Sequence, residues 1–137
     1  MQNPELFSWP IRVYWEDTDA GGVVYHAQYV NFLERARTEW LRSHNIHQSH
    51  VMNELNCAVA VKWFQVNLHF PCRLDDLLTI KIRINAIKKT SIILDQLVYK
   101  DDNNSLVAEG CFCLVCIRPS TFKPCRIPQI ILTACCP

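Results

Sequence analysis

The chain has no run approaching the ~20 consecutive apolar residues that a membrane-spanning helix needs, although half of its 137 residues are apolar. Nor does it carry an excess of either charge: 14 basic residues stand against 13 acidic ones, a formal net charge of +1. That balance supplies no field for nucleic acid, so no nucleic-acid partner is expected, and at most a peripheral association with a membrane. The N-terminus, Met1-Gln2-Asn3-Pro4-Glu5, lacks the basic and apolar regions of a secretory signal, which leads to the expectation of a cytoplasmic protein. No repeat, low-complexity segment or linker divides the chain. Its length fits one domain over residues 1–137, with a core over about 8–118 and a tail over 119–137.

What the chain has in abundance is cysteine, at positions 57, 72, 111, 113, 116, 125, 135 and 136. In a reducing compartment these read as free thiols, most of them small core residues. Cys111, Cys113 and Cys116 fall in a strand-like segment, where residues three apart point to opposite faces, so Cys113 and Cys116 are not placed to share a metal. His44, His47 and His50 recur every third residue in a polar connection and read as exposed loop and short-helix histidines. Neither a metal nor a cofactor is expected.

Ile11, Val13 and Trp15 alternate with Arg12, Tyr14 and Glu16, which predicts a first strand over residues 11–16. After the turn-forming run Asp17-Thr18-Asp19-Ala20-Gly21-Gly22, apolar residues recur at helical spacing from Val30 to Leu41, predicting a helix of four or five turns that ends near His44 or Asn45. Strand patterns follow from Cys57 onward, with Phe64, Val66, Leu68 and Phe70 on one face. Turns are expected at residues 71–76, 88–91 and 101–104, each joining neighbouring strands. The order strand, helix, four strands is an α+β pattern: an antiparallel sheet of about five strands with one long helix on a face. One helix cannot cover both faces of such a sheet, so pairing with a second copy is expected.

The chemistry concentrates where the first strand meets the helix. Gly21 and Gly22 permit close backbone approach, and the first N–H groups of the helix have no intrahelical acceptor. Such N–H groups, at the positive end of the helix dipole, polarise a carbonyl oxygen placed against them. A thioester needs little beyond that and a carboxylate, because thiolate leaves readily, and an ionised aspartate serves as nucleophile or as general base. By residue type alone, either Asp17 or Asp19 qualifies. An aspartate in a turn most often accepts from backbone N–H groups, which is the reading given to Asp17.

The segment from Glu16 to Val30, continued in Glu34-Arg35-Ala36-Arg37-Thr38-Glu39 and Phe70-Pro71-Cys72-Arg73-Leu74-Asp75-Asp76, resembles the YbgC-type acyl-CoA thioesterases. These belong to the wider 4-hydroxybenzoyl-CoA thioesterase family of hot-dog proteins. The resemblance implies the hot-dog fold, with an antiparallel sheet wrapped around one long helix, and hydrolysis of an acyl-CoA. It implies Asp19 as the catalytic carboxylate and the His26 N–H as the oxyanion donor, with the His26 side chain orienting water, substrate or carboxylate. It also implies an active site at a subunit interface of a homodimer or homotetramer, and acyl carrier protein as a further partner. Tyr25 and Tyr29 are candidates for lining the acyl pocket. Lys88, Lys89, Thr90 and Ser91 are candidates for holding the CoA phosphates.

Two other readings of Asp17-Thr18-Asp19 fail on the rest of the chain. An aspartyl-phosphate phosphatase needs alternating strands and helices and further magnesium ligands, whereas strands follow one another here. A calcium loop counted from Asp17 places Gln28 where glutamate is required. The rival that survives is a hot-dog module without turnover, binding acyl carriers or bridging partners of the Tol-Pal envelope system. The joint presence of Asp19, the glycines and His26 argues for chemistry instead.

Overall fold

The computed structural model describes residues 4–136; Met1 to Asn3, on which part of the localisation reading rests, and Pro137 lie outside the described residues. Five strands, β1 (Glu5–Arg12), β2 (Ala58–Leu68), β3 (Leu77–Ile87), β4 (Ser91–Lys100) and β5 (Ser105–Ile117), form one antiparallel sheet in the order β1-β3-β4-β5-β2. Three helices accompany it: α1 (Gln28–Ser43), α2 (Gln48–Leu55) and α3 (Gln129–Cys135). Among the described residues, no helix is long and apolar enough to cross a membrane.

Helix α1 buries Tyr29, Phe32, Leu33, Ala36, Arg37, Trp40 and Leu41, the stripe that a 3.6-residue period places on one face. That stripe packs on the inward residues of the sheet, including Leu78, Ile80 and Ile82 of β3, Leu94 of β4 and Phe112 of β5. Full burial of side chains such as Phe32 and Leu33 stabilises by ~1.5–3 kcal/mol each. The contact is tightest at Gly110, where an added Cβ would stand 2.8 Å from Leu33 Cδ1. One polar link crosses the core. Gln96 Nε2 donates to the Leu33 carbonyl at 3.0 Å, and Gln96 Oε1 accepts from Arg37 Nη1 at 2.9 Å. Burial lowers the Arg37 pKa, and the neighbouring Glu34 carboxylate opposes that shift.

Three expectations need correction. The first strand spans Glu5–Arg12 instead of residues 11–16: it starts before the alternation at Ile11, and it stops short because Trp15–Asp17 winds into a 3₁₀ turn that leaves Trp15 79% exposed. Residues 71–76 do not join neighbouring strands: β2 pairs with β5, while β3 lies between β1 and β4. The chain therefore crosses from one edge of the sheet toward the other, and Phe64 and Leu68 of the edge strand β2 are left about half exposed. The core expected over about 8–118 also extends into the tail expected over 119–137. Cys125, Ile127, Ile131, Ala134 and Cys135 are buried in the same core, with α3 closing one end. Cys136 is exposed.

The thiols divide by face as the strand period requires. Cys116 belongs to the core cluster beneath the helix and Cys113 does not. Cys57 and Cys125 meet with their sulfurs 3.8 Å apart, and burial pushes the Cys57 thiol up to about 12. No group of three or more His, Cys, Asp or Glu among the described residues is placed to hold a metal ion.

Candidate active site

The site is built by a short loop between β1 and α1 that folds back on itself. Thr18 and Val24 form an antiparallel bridge, and Asp19 N–H donates to the Val23 carbonyl at 3.0 Å. Between them, Asp19-Ala20-Gly21-Gly22 makes a tight turn closed by Gly22 N–H on the Asp19 carbonyl at 3.0 Å. Gly22 occupies φ +78°, a conformation that an L side chain rarely adopts. Gly21 is needed for space rather than for φ. Its N–H donates to Asp19 Oδ1 at 2.8 Å, and a Cβ there would stand 3.1 Å from that oxygen.

The two aspartates have different surroundings. Asp17 is buried and both carboxylate oxygens are engaged: Oδ2 accepts from the Tyr14 N–H and Oδ1 from Gln28 Nε2, each at 2.8 Å. Its carbonyl accepts from Tyr25 N–H at 2.9 Å, so Asp17 ties the loop to the start of α1. Asp19 is exposed, and among the described residues its Oδ2 accepts no hydrogen bond.

His26 lies just before α1, whose N-cap is Ala27. Its backbone N–H has no acceptor among the described residues, while Tyr25 N–H is taken by Asp17 and Val24 N–H by the Cys72 carbonyl at 2.8 Å. A free N–H at the positive end of a sixteen-residue helix is a ready donor to a developing oxyanion.

Asp19 and His26 line one open groove of about 340 Å³ together with Val23, Val24, Tyr29, Leu68, His69, Phe70 and Pro71. A volume of this order suits part of a small-molecule ligand. The far wall comes from the end of β2. There the His69 and Phe70 N–H groups both donate to the Val107 carbonyl, at 2.9 and 3.2 Å, which bends the chain out of regular pairing. His69 Nε2 lies 3.4 Å from a Glu109 carboxylate oxygen.

Of the predicted residues, Asp19, Gly21, Gly22 and His26 come together in this loop. Tyr29 reaches the groove but is mostly buried; its phenol is pushed up by burial first and then by its hydrogen bond with Cys72. Tyr25 does not line the groove and packs on the His26 ring, centroids 4.6 Å apart. The turn of Lys88, Lys89, Thr90 and Ser91 closes the β3–β4 hairpin at the opposite end of β3, roughly 35 Å along an eleven-residue strand from the end nearest Asp19. The chain therefore does not bring that turn to its own groove. Leu68, His69, Phe70 and Pro71 were missed as wall residues. Their signal was the likeness at residues 70–76, which carried no role by itself.

The chain is similar to known proteins in sequence and in fold. A family model for the thioesterase-like superfamily matches residues 13–134. The chain belongs to that superfamily. It is 45% identical over 130 residues to the acyl-CoA thioester hydrolase YbgC of Escherichia coli O157:H7, covering 95% of this chain and 96% of that one. It is 38% identical over 128 residues to the acyl-CoA thioesterase YbgC of Haemophilus influenzae, covering 93% of each. The crystal structure of Slr0204, a 1,4-dihydroxy-2-naphthoyl-CoA thioesterase from Synechocystis, superposes with a TM-score of 0.89 at 25% identity over 95% of both chains. The resemblance read from the sequence and the hot-dog fold it implied are thus borne out.

Proposed function

We propose that the protein hydrolyses acyl-CoA thioesters, with Asp19 as the reacting carboxylate and the His26 N–H as the oxyanion donor. The observation that carries this reading is that Asp19 and His26 line one groove, the carboxylate with an oxygen that has no donor and the backbone N–H with no acceptor among the described residues. The names of the YbgC relatives support the same substrate class.

With the thioester carbonyl oxygen against the His26 N–H, Asp19 Oδ2 attacks the carbonyl carbon or takes a proton from an attacking water. Negative charge on the tetrahedral intermediate falls at the start of α1, where the N–H and the helix dipole stabilise it. Collapse expels CoA thiolate. On the covalent route water then cleaves the acyl-aspartyl anhydride; on the other the acid is released directly. In this reading the His26 imidazole, exposed and beside Tyr25, orients water or the carboxylate.

The groove is open in one chain, and we extend the reading to a homodimer that closes it. Strand β2 is a sheet edge with Val61, Trp63, Phe64 and Leu68 about half exposed, a surface that antiparallel pairing with a second β2 would cover. Such pairing reverses the ends, so that the start of the partner's β2 lies beside Leu68 and the groove wall.

Hydrolysis of short, long and aromatic acyl-CoAs, run beside Asp19→Asn, tests the reaction. Wild-type turnover should fall by a factor of 10² or more in Asp19→Asn, within the range for a single acid–base group. Near-normal turnover in that variant, or none on any thioester in the wild type, would sink the reading. Light scattering tests the dimer, and a monomeric wild-type protein would refute it.

A further inference from the structure

The loop facing the glycine turn carries a guanidinium with no carboxylate to neutralise it. Arg73 is exposed, its Nη1 stands 3.4 Å from the Gly22 carbonyl oxygen, and no Asp or Glu among the described residues forms an ion pair with it. Its position is fixed from below. The Arg73 N–H donates to Asp76 Oδ2 at 2.8 Å, and the Asp76 N–H returns to the Arg73 carbonyl at 3.1 Å. A second guanidinium reaches the same loop, Arg12 Nη1 donating to the Asp75 carbonyl at 2.7 Å, again without an ion pair among the described residues. Lys100 is different, since Asp76 at 3.5 Å and Asp102 at 3.6 Å hold its ammonium. Arg73 and Arg12 are thus the guanidiniums at this loop that hold no ion pair among the described residues, although the loop also carries Asp75 and Asp76.

We propose that Arg73, assisted by Arg12, binds the phosphate of the phosphopantetheine arm that delivers the acyl thioester to Asp19. The inference rests on the hydrolase reading above and names the part of the substrate that the loop would hold. A guanidinium presents a planar fork of donors that matches phosphate oxygens. Arg73 lies across one four-residue turn from Asp19. An arm with two amide units between cysteamine and pantoyl ends reaches on the order of 15 Å at ~3.5 Å per backbone-like unit, enough to run from the groove over that turn. The same phosphate occurs in CoA and in the prosthetic group of acyl carrier protein.

Steady-state kinetics with one acyl group on three carriers tests this: CoA, acyl carrier protein, and N-acetylcysteamine, which has no phosphate. Because the contact is exposed and screened, Arg73→Gln should raise KM for both phosphate-bearing thioesters about tenfold with little change in kcat. KM for the N-acetylcysteamine thioester should stay as in the wild type, and Arg73→Lys should recover part of the loss. Equal rises on all three carriers, or no rise on any, would overturn the assignment. A rise with acyl-CoA alone would move the contact to the nucleotide and overturn it as well. Calorimetric titration with 4′-phosphopantetheine and with pantetheine reads the contact without turnover: a phosphopantetheine Kd weakened about tenfold in Arg73→Gln, with the pantetheine Kd unchanged, supports it even in a protein that hydrolyses none of the three thioesters, and an unchanged phosphopantetheine Kd refutes it.

Discussion

Replacing Gly21 with alanine should separate catalysis from folding at this loop. Gly21 does not sit at positive φ, so alanine adopts its backbone conformation without strain, and the position is exposed. The new Cβ, however, would meet Asp19 Oδ1 at 3.1 Å, a few tenths of an ångström inside ordinary contact, while the Gly21 N–H holds that same oxygen at 2.8 Å. The carboxylate turns away from the Gly21 N–H, and because Asp19 and Gly21 are both exposed, water takes up most of that hydrogen bond, at a net cost of about 0.5 kcal/mol or less. Misplacing a reacting group by something under 1 Å costs roughly 10- to 100-fold in rate. Gly21→Ala should therefore lower kcat by about that factor while leaving the melting temperature within a few degrees of the wild type. Gly22→Ala supplies the contrast: its strain at φ +78° costs on the order of 1 kcal/mol and should appear in thermal unfolding. Thioester hydrolysis and calorimetric unfolding on the same preparations decide it. Wild-type kcat in Gly21→Ala would show that the Asp19 carboxylate need not hold the position seen, and the reasoning would fail.

Three more outcomes follow from buried groups. Asp17→Ala leaves the Tyr14 N–H and the Gln28 amide without their acceptor, which should destabilise by about 2–4 kcal/mol and move the midpoint of urea unfolding in proportion. Gly110→Ala drives a methyl group into Leu33 and Phe112 and should cost about 1–3 kcal/mol by the same measurement, with any loss of activity following the loss of fold. Burial raises the Cys57 and Cys135 thiols from 9.0 to about 12. In each case the folded state favours the neutral thiol and the unfolded state ionises first. Their contribution to stability is thus complete below pH 9 and is lost as the pH rises from 9 toward 12. A melting temperature that holds steady across that window would contradict the burial of these thiols.

The parts of the molecule that were readable in advance are those whose signal is local. Strands β3, β4 and β5 show a period of two along their own sequence, and α1 shows its apolar stripe within sixteen residues, so the turns expected at 88–91 and 101–104 and the end expected for the helix fall within a residue or two of those observed. The alternation through Ile11, Val13 and Trp15 ran on four residues past the end of the strand at Arg12, because the capture of the Tyr14 N–H by Asp17 is a hydrogen bond that periodicity does not register. Strand β2 failed for a different reason. Its apolar face looks the same whether it lies under a helix or at an open edge, and only its pairing with β5, some fifty residues away, settles which. The tail over 119–137 shows no period of its own, because its prolines interrupt it, yet Cys125, Ile127 and Ile131 reach the core from between them.

The same contrast between local and distant runs through the site. Asp19, Gly21, Gly22 and His26 lie within eight residues of one another, so the carboxylate, the space around it and the free N–H travel together in one stretch of sequence. The wall at residues 68–71 and the guanidinium of Arg73 come from the other side of α1 in the sequence and, among the described residues, are joined to that stretch by the Val24 to Cys72 and Arg73 to Gly22 hydrogen bonds. Substitutions in the second segment change the groove wall and the charge at its rim without touching the groups proposed to react. On this division, variants at Leu68 or Phe70 should alter which acyl groups are accepted, read as changes in the ratio of kcat/KM between acyl-CoAs, whereas variants at Asp19 should depress all of them by one factor. A uniform loss from Leu68→Ala and Phe70→Ala across short, long and aromatic substrates would show that the wall holds the catalytic loop in place instead of selecting the acyl group.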